Sequence, residues 1–435
     1  MLFLLTRMLF ARPLSLPETL DAIENNSIEL QISQLKEEKA RLETKKMLTK
    51  LLPVVQIQGS WLQFDEPLEV QLLGEQSGDV DCSAFEAFGL GDLCAGFSEP
   101  MLLREERIFD GTAQVLYPIS SLFSIYKGYE ISKTMGRLSL VETELTRKKV
   151  RLSVIELYMQ ALTLQQTVQF AKATKVRLEK HLANIDSFVS KGLLNSLDAE
   201  RMRGAIEEAE LAEQEAQDAY ALICRQIALI IGRDFTPIPF DFTVPAALPT
   251  MVVQNDILEK ARLQEKIAGD AHAAAYGQLI PDVALIAATT RTQGQGTLTP
   301  TEQNYIGLSF TMNFGWGERW LQTRQSQREL LMAQQALQLQ TEALALEQEA
   351  AKRGVLRAQK KEQIKIRKQE IAQEAQRQAE AKFAEQLITA VELLDSEADM
   401  LKAQLELAQA KANLVQSFAQ FQYVAGVVPL VDFRR

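Results

Sequence analysis

The chain has 435 residues, 46% apolar and 24% charged, with 21 Gly and 13 Pro, which excludes wholesale disorder and a collagenous or low-complexity chain. A net charge of −10 disfavours a broad nucleic-acid-binding surface. No run of about 18 apolar residues occurs, which excludes a polytopic helical membrane protein but not a membrane β-barrel, whose strands are short and half apolar.

Residues 1–15 begin MLFLLTRMLFAR, an apolar stretch broken by Arg7. Two readings stay open: the remnant of an export signal, or the apolar start of a protein that is not exported. Residues 17–51, rich in Leu, Glu, Lys and Gln, predict one helix. Residues 53–65 predict a strand, with Val55, Ile57 and Trp61 on one face and Gln56, Gln58 and Ser60 on the other. A weaker strand pattern covers 111–119, so 66–108 reads as a long loop. Long Pro-free helices follow at 126–186 and 193–231. Residues 233–250 carry Pro237, Pro239, Pro245 and Pro249 and read as an extended link.

The same order then recurs. A helix is predicted at 251–278 and strands at 281–291 and 304–314, and long helices at 318–384 and 388–425 precede a tail at 427–435. In the second of these strands Ile306, Leu308 and Phe310 alternate with Tyr305, Gly307 and Ser309. A helix of roughly 65 residues spans roughly 100 Å, which suits a coiled coil or a helical barrel rather than a small globule. The last helix carries two apolar seams. One runs through Val391, Leu394, Ala398, Leu401, Leu405, Ala408, Ala412, Val415 and Ala419, the other through Met400, Ala403, Leu407, Ala410, Leu414 and Phe421. The seams lie about 200° apart around the axis, as a helix with a neighbour on each side requires.

The recurrence is an internal repeat. Leu51-Leu52-Pro53-Val54-Val55 returns as Leu279-Ile280-Pro281-Asp282-Val283. A single ungapped offset places Leu193 on Leu387, Asp198 on Glu392, Ala209 on Ala403 and Gly232 on Gly426. The repeats are 16–232 and 251–426. Each holds a helix, two strands and a long helical hairpin, so the fold class is mainly α with a small β part.

With these features the chain resembles the TolC family of outer-membrane efflux proteins, from Leu16 to Gly426. The sharpest match is Lys382-Phe383-Ala384-Glu385-Gln386-Leu387-Ile388-Thr389 with Val391-Glu392-Leu393-Leu394-Asp395, and Lys191-Gly192-Leu193 to Asp198 resembles the first-repeat copy. The resemblance implies a homotrimer in which four strands per chain complete a 12-stranded outer-membrane β-barrel on a periplasmic α-helical barrel. It implies a passive exit duct of a tripartite efflux or type I secretion system, embedded in outer-membrane lipid and joined through a periplasmic adaptor to an inner-membrane pump. Nucleic acid has no place in this reading.

The resemblance also implies roles for residues. Glu392 and Asp395, one turn apart, match the acidic pair lining the closed aperture, with Asp198 as the first-repeat counterpart; solvated surface charges are the alternative. Ile388 and Phe383 stand where relatives carry an arginine and a hydroxylated aromatic residue, so the family's hydrogen-bonded lock is not expected. Lys191, Gly192 and Leu193, with Glu385, Gln386 and Leu387, match the adaptor-docking tips, though Gln386 replaces the usual Gly; plain turns are the alternative. In an extracellular loop Cys82 and Cys94 would form a disulfide, with two free thiols as the alternative.

Chemistry is not expected. His181 and His272 read as isolated helix residues, Cys224 as core, and no metal, phosphate or nucleophile motif appears. No cofactor and no enzymatic activity are therefore expected. Two other readings remain: a soluble coiled-coil scaffold, and a periplasmic adaptor. The duplicated strand pairs weigh against both.

Overall fold

A computed structural model describes residues 13–70, 88, 101–245, 255–296, 299–312 and 317–429. In chain order the elements are β1 (Pro13–Leu14), α1 (Leu16–Asn26), α2 (Ile28–Thr49), β2 (Val54–Gln63), β3 (Leu68–Val70), β4 (Met101–Pro118), α3 (Leu122–Ser190), α4 (Ser196–Ile231), β5 (Thr236–Pro237), α5 (Asp256–Gly277), β6 (Asp282–Gln295), β7 (Glu302–Thr311), α6 (Glu318–Ala384) and α7 (Ala390–Val424). The chain divides into two units. The helical unit takes the described parts of 1–40, 136–265 and 333–435, and the sheet unit takes those of 41–135 and 266–332.

In the helical unit, α1 starts at a capping box. Ser15 N–H donates to Glu18 Oε2 at 2.8 Å, and Glu18 N–H returns to Ser15 Oγ. Leu16, Leu20 and Ile23 then pack with Val154, Ile155 and Tyr158 of α3, Ile227 and Ile231 of α4, and Val415 and Ala419 of α7. Each large apolar side chain buried here contributes about 2 kcal/mol. The Tyr158 hydroxyl lies 2.9 Å from the carbonyl oxygens of both Leu14 and Ile238, tying down the parallel β1–β5 pair. Burial pushes this phenol up to about 12.

The helix predicted over 17–51 breaks at Ser27. That residue leaves helical geometry (φ −68, ψ 118), and its Oγ accepts from Leu30 N–H, so it ends α1 and caps α2. Asn25-Asn26-Ser27 is a run of cap formers, which compete with the helical backbone through their side chains.

In α7 the second apolar seam is largely buried at Met400, Ala403, Ala410, Leu414 and Phe421. The first is buried at Ala408, Ala412, Val415 and Ala419, while Val391 and Ala398 are exposed.

The sheet unit holds strands in the order β2-β4-β6-β7, all antiparallel, with β3 pairing the start of β4. The second strand begins at Met101, not near residue 111. Leu68–Val70 pairs with Met101–Arg104, so strand extends into the segment read from sequence as a loop. Charged residues at Arg104–Arg107 hide that strand from an alternation test.

The register sorts the sheet into unlike faces. Val55, Val115, Ala287 and Ile306 stand in one cross-strand row, and Tyr117, Leu285 and Leu308 in another on the same face. The opposite face aligns Gln56, Gln114, Ala288 and Tyr305, then Gln58, Thr112, Thr290 and Gln303. There Gln114 Nε2 donates to Gln56 at 2.7 Å, and the Thr112 and Thr290 hydroxyls are 3.3 Å apart. The apolar face is open: Ile57, Ile306 and Leu308 are 80, 75 and 70% exposed. Among the described residues, β2 and β7 each have a partner strand on one side only.

Candidate functional site

The helical hairpins α3–α4 and α6–α7 turn at two places, and both turns have the same construction. At the first, Leu193 N–H bonds Phe188 O and Gly192 N–H bonds Val189 O, both at 2.9 Å. At the second, Leu387 N–H bonds Lys382 O at 2.8 Å and Gln386 N–H bonds Phe383 O at 3.0 Å. These are Schellman turns, which need a left-handed residue one place before the last. Gly192 supplies it with φ 72, and Gln386 adopts it with φ 60. Gln386 is the positive-φ non-glycine residue among those described.

A side chain in that conformation costs about 1 kcal/mol. Gln386→Gly should therefore stabilise the second tip by a few tenths to about 1 kcal/mol, the gain being reduced by glycine's freedom in the unfolded chain. Gly192→Ala should cost the first tip about 1 kcal/mol, purely conformational, since an added Cβ meets nothing within 4 Å. Denaturant unfolding of each variant measures both, and equal stabilities would contradict the pairing of these turns.

Past each turn a helix begins on a cap. Asn195 Oδ1 accepts from Leu197 N–H at 3.3 Å and opens α4. Thr389 opens α7 with a capping box: Thr389 N–H donates to Glu392 Oε2 at 2.8 Å, and Glu392 N–H to Thr389 Oγ1 at 3.3 Å. Glu392 thus has a structural task that its position among acidic residues did not suggest. Asp395 is exposed one turn later. Asp198 holds the place in α4 that Glu392 holds in α7, and it faces Arg201 at 3.7 Å. Lys191, Gly192, Leu193, Glu385, Gln386 and Leu387 are all exposed.

Behind the tips Phe383 and Phe188 meet edge to face, 6.3 Å between centroids, in a cluster with Ile185, Met202 and Leu393. Phe383 serves as core, in keeping with its lack of a hydroxyl. Beside this cluster lies a buried polar group. Glu397 on α7 is 1% exposed. Its Oε2 accepts from Arg177 Nε at 3.0 Å, and its Oε1 accepts from Gln376 Nε2 at 2.8 Å and faces His181 Nε2 at 3.3 Å. Thr174 Oγ1 accepts from Arg177 Nη2 at 2.9 Å. Burial alone would raise the Glu397 carboxyl. The hydrogen bonds from His181 and Gln376 and the charge of Arg177 outweigh it and hold the group below its ordinary value.

His181 is therefore not an isolated helix residue. The signal was present in the sequence: Leu393, Glu397 and Met400 follow helical spacing, so a carboxylate falls on a buried stripe and requires partners. His272 packs as expected, 2.9 Å from Ser326 Oγ and edge-on to Tyr276. Cys224 is half-buried against the helical core. Cys82 and Cys94 lie outside the described residues.

No family model matches the sequence, and no curated protein sequence matches it. Solved structures do. The outer membrane protein VceC of Vibrio cholerae superposes with TM-score 0.76 at 13% identity, over 95% of this chain and 96% of that one. The CmeC outer membrane channel of Campylobacter jejuni gives 0.74 at 15%, over 94% and 85%. The open state of the MtrE outer membrane channel of Neisseria gonorrhoeae gives 0.70 at 15%, over 97% and 91%. The chain has the outer-membrane channel fold. This is the fold implied by the family resemblance, and the match spans both repeats. Within the channel fold, this chain departs from a symmetric repeat at its tips: the Gly192 turn recurs with Gln386, and Asn195 recurs as Thr389 with a full capping box.

Proposed function

We propose that the protein is one protomer of a trimeric outer-membrane channel, extending into the periplasm and serving as the passive exit duct of a tripartite efflux or type I secretion system. The observation that carries this reading is the sheet. The four long strands cannot close on themselves, and among the described residues β2 and β7 each present a free edge. Three copies joined β7 to β2 give twelve strands and leave no edge. The strands of 10, 18, 14 and 10 residues match or exceed the roughly 9–11 needed to cross a bilayer. Their apolar face suits lipid and their Gln/Thr face a water-filled lumen. Cyclic symmetry would place helices of neighbouring copies side by side, and the exposed start of the first α7 seam at Val391 and Ala398 offers such a contact.

A channel of this kind does no chemistry; the energy comes from an inner-membrane pump reached through a periplasmic adaptor. The exposed tips at 191–193 and 385–387 are the surfaces offered to that adaptor. Light scattering of detergent-extracted protein tests the assembly: a trimer in the outer-membrane fraction is expected, and a soluble monomer or dimer refutes the duct.

In the trimer Glu392 and Asp395 would form two stacked rings of three carboxylates at the aperture, with Asp198 nearby. Glu392→Gln with Asp395→Asn should lower cation preference and divalent block in planar-bilayer recordings several-fold. Thr389→Ala separates the two tasks of Glu392, because it removes the cap, worth about 1 kcal/mol, and keeps every charge. If Thr389→Ala alters selectivity as much as the double neutral variant, the ring assignment fails.

A further inference from the structure

We infer that His181, Glu380 and Glu397, with Gln376, form a binding site for a divalent transition-metal ion, with Zn2+ the best-matched species. His181 Nε2 lies 3.3 Å from Glu397 Oε1 and 4.0 Å from Glu380 Oε1, and the three ligand atoms all fall within 4.8 Å of one another. They come from three helices: α3 gives the imidazole, α6 gives Glu380 and α7 gives Glu397. Two ligands on one zinc stand roughly 3.4 Å apart; the His181–Glu397 distance already fits, the His181–Glu380 distance closes by about half an ångström, and the two carboxylate oxygens, within 4.8 Å, close by at most about 1.4 Å.

The place for the cation is marked by a donor. Gln376 Nε2 donates to Glu397 Oε1 at 2.8 Å and to Glu380 Oε1 at 3.2 Å. Its amide bridges the two carboxylates where a positive charge is favoured. Rotating that amide by half a turn presents its oxygen instead, a fourth ligand after one imidazole and two carboxylates. Imidazole with carboxylate oxygens suits Zn2+ and its first-row neighbours rather than Ca2+ or Mg2+.

Arg177 does not block the site. Its Nε lies nearer Glu397 Oε2, at 3.0 Å, than Oε1, at 3.3 Å, so a metal on Oε1 takes over the longer of the two contacts, and Thr174 orients the guanidinium in turn. A ligating carboxylate fixed by a second hydrogen-bond partner is the usual support of a metal centre. Charge agrees as well. Two carboxylates and one guanidinium leave one net negative charge, which a divalent ion more than balances. The Glu380 side chain is 39% exposed and provides the path of entry. A bound ion would join α3 of the first hairpin to α6 and α7 of the second, just behind both tips. The site stands on this geometry whether or not the duct reading holds.

The test uses the full-length protein without a polyhistidine tag, stripped with chelator and kept in detergent. Zn2+ is titrated by calorimetry, and Co2+ serves as the spectroscopic probe. Saturation at one Zn2+ per chain is expected, with a raised Tm and the visible bands of Co2+ in a nitrogen–oxygen site. His181→Gln and Glu380→Ala should each weaken binding about tenfold or more, and Asp399→Asn, an exposed carboxylate nearby, should leave it unchanged. Should His181→Gln fail to fold, Glu380→Ala decides, because its side chain is partly in solvent. Absent saturable binding, or equal affinity in Glu380→Ala and the parent, overturns the proposal.

Discussion

Replacing Arg177 by Gln is expected to destabilise the helical unit more than replacing Glu397 by Gln. The Glu397 side chain is 2% exposed and that of Arg177 is 28%. Removing Arg177 strands a nearly dry carboxylate between His181 and Gln376, a cost of about 3–5 kcal/mol. Glu397→Gln leaves a guanidinium that reaches water, and the amide oxygen introduced in place of the carboxylate still accepts a hydrogen bond, so roughly half that cost is expected. The pair also sets an acid limb. The Glu397 carboxyl is held below its ordinary value of 4.5, so its contribution is fully present above that pH. It is lost as pH falls below 4.5 through the folded-state value. The gap between parent and Glu397→Gln should therefore be constant near neutrality and should shrink under acid. Thermal unfolding followed by circular dichroism, with chelator present to keep metal out of the comparison, measures it. Parallel pH profiles for the two proteins would mean that the carboxyl is not the group that titrates.

That pair also marks where sequence reading reached its limit. Strand alternation at Val55–Trp61 and Ile306–Phe310 is local, and so are helices long enough to outrun any globule; both could be read without knowing what packs on what. The break at Ser27 was also local, but three cap formers inside a Leu- and Glu-rich run are easily overridden by the surrounding helical composition. The early start of β4 was hidden because Arg104, Glu105, Glu106 and Arg107 interrupt the alternation at the point where the strand exceeds what its partner needs. The buried cluster is a different case. His181, Gln376 and Glu397 are far apart in sequence, and only the packing of α3 on α6 and α7 brings them together. What was legible was a single anomaly, a glutamate on the Leu393–Met400 stripe. The tips show the reverse. The repeat offset pairs Gly192 with Gln386, a substitution that reads as a change of turn, yet the backbone keeps the glycine conformation and the hydrogen bonds. Two bonds per turn hold the shape, and the side chain bears the strain.

The largest effect is expected in the sheet, where Ile306→Arg should abolish the assembled trimer. Ile306 sits in the row Val55, Val115, Ala287, Ile306, on the face that a closed barrel would turn to lipid. An arginine near the bilayer midplane costs about 2–4 kcal/mol, and threefold symmetry repeats the charge, so the assembly loses roughly 6–12 kcal/mol. Leu308→Arg, on the same face of β7, should behave alike. Gln303→Arg is the decisive control. It lies on the same edge strand with the same exposure to a neighbouring copy, but on the face shared with Gln58, Thr112 and Thr290. In a barrel that face lines water, so the trimer should persist and conductance alone should change. Light scattering of the detergent-extracted outer-membrane fraction of each variant distinguishes the cases. Loss in all three variants would make the edge pairing itself the sensitive step. Persistence in Ile306→Arg would remove lipid from the apolar face and leave the exposed row of Ile57, Ile306 and Leu308 to be covered by protein instead.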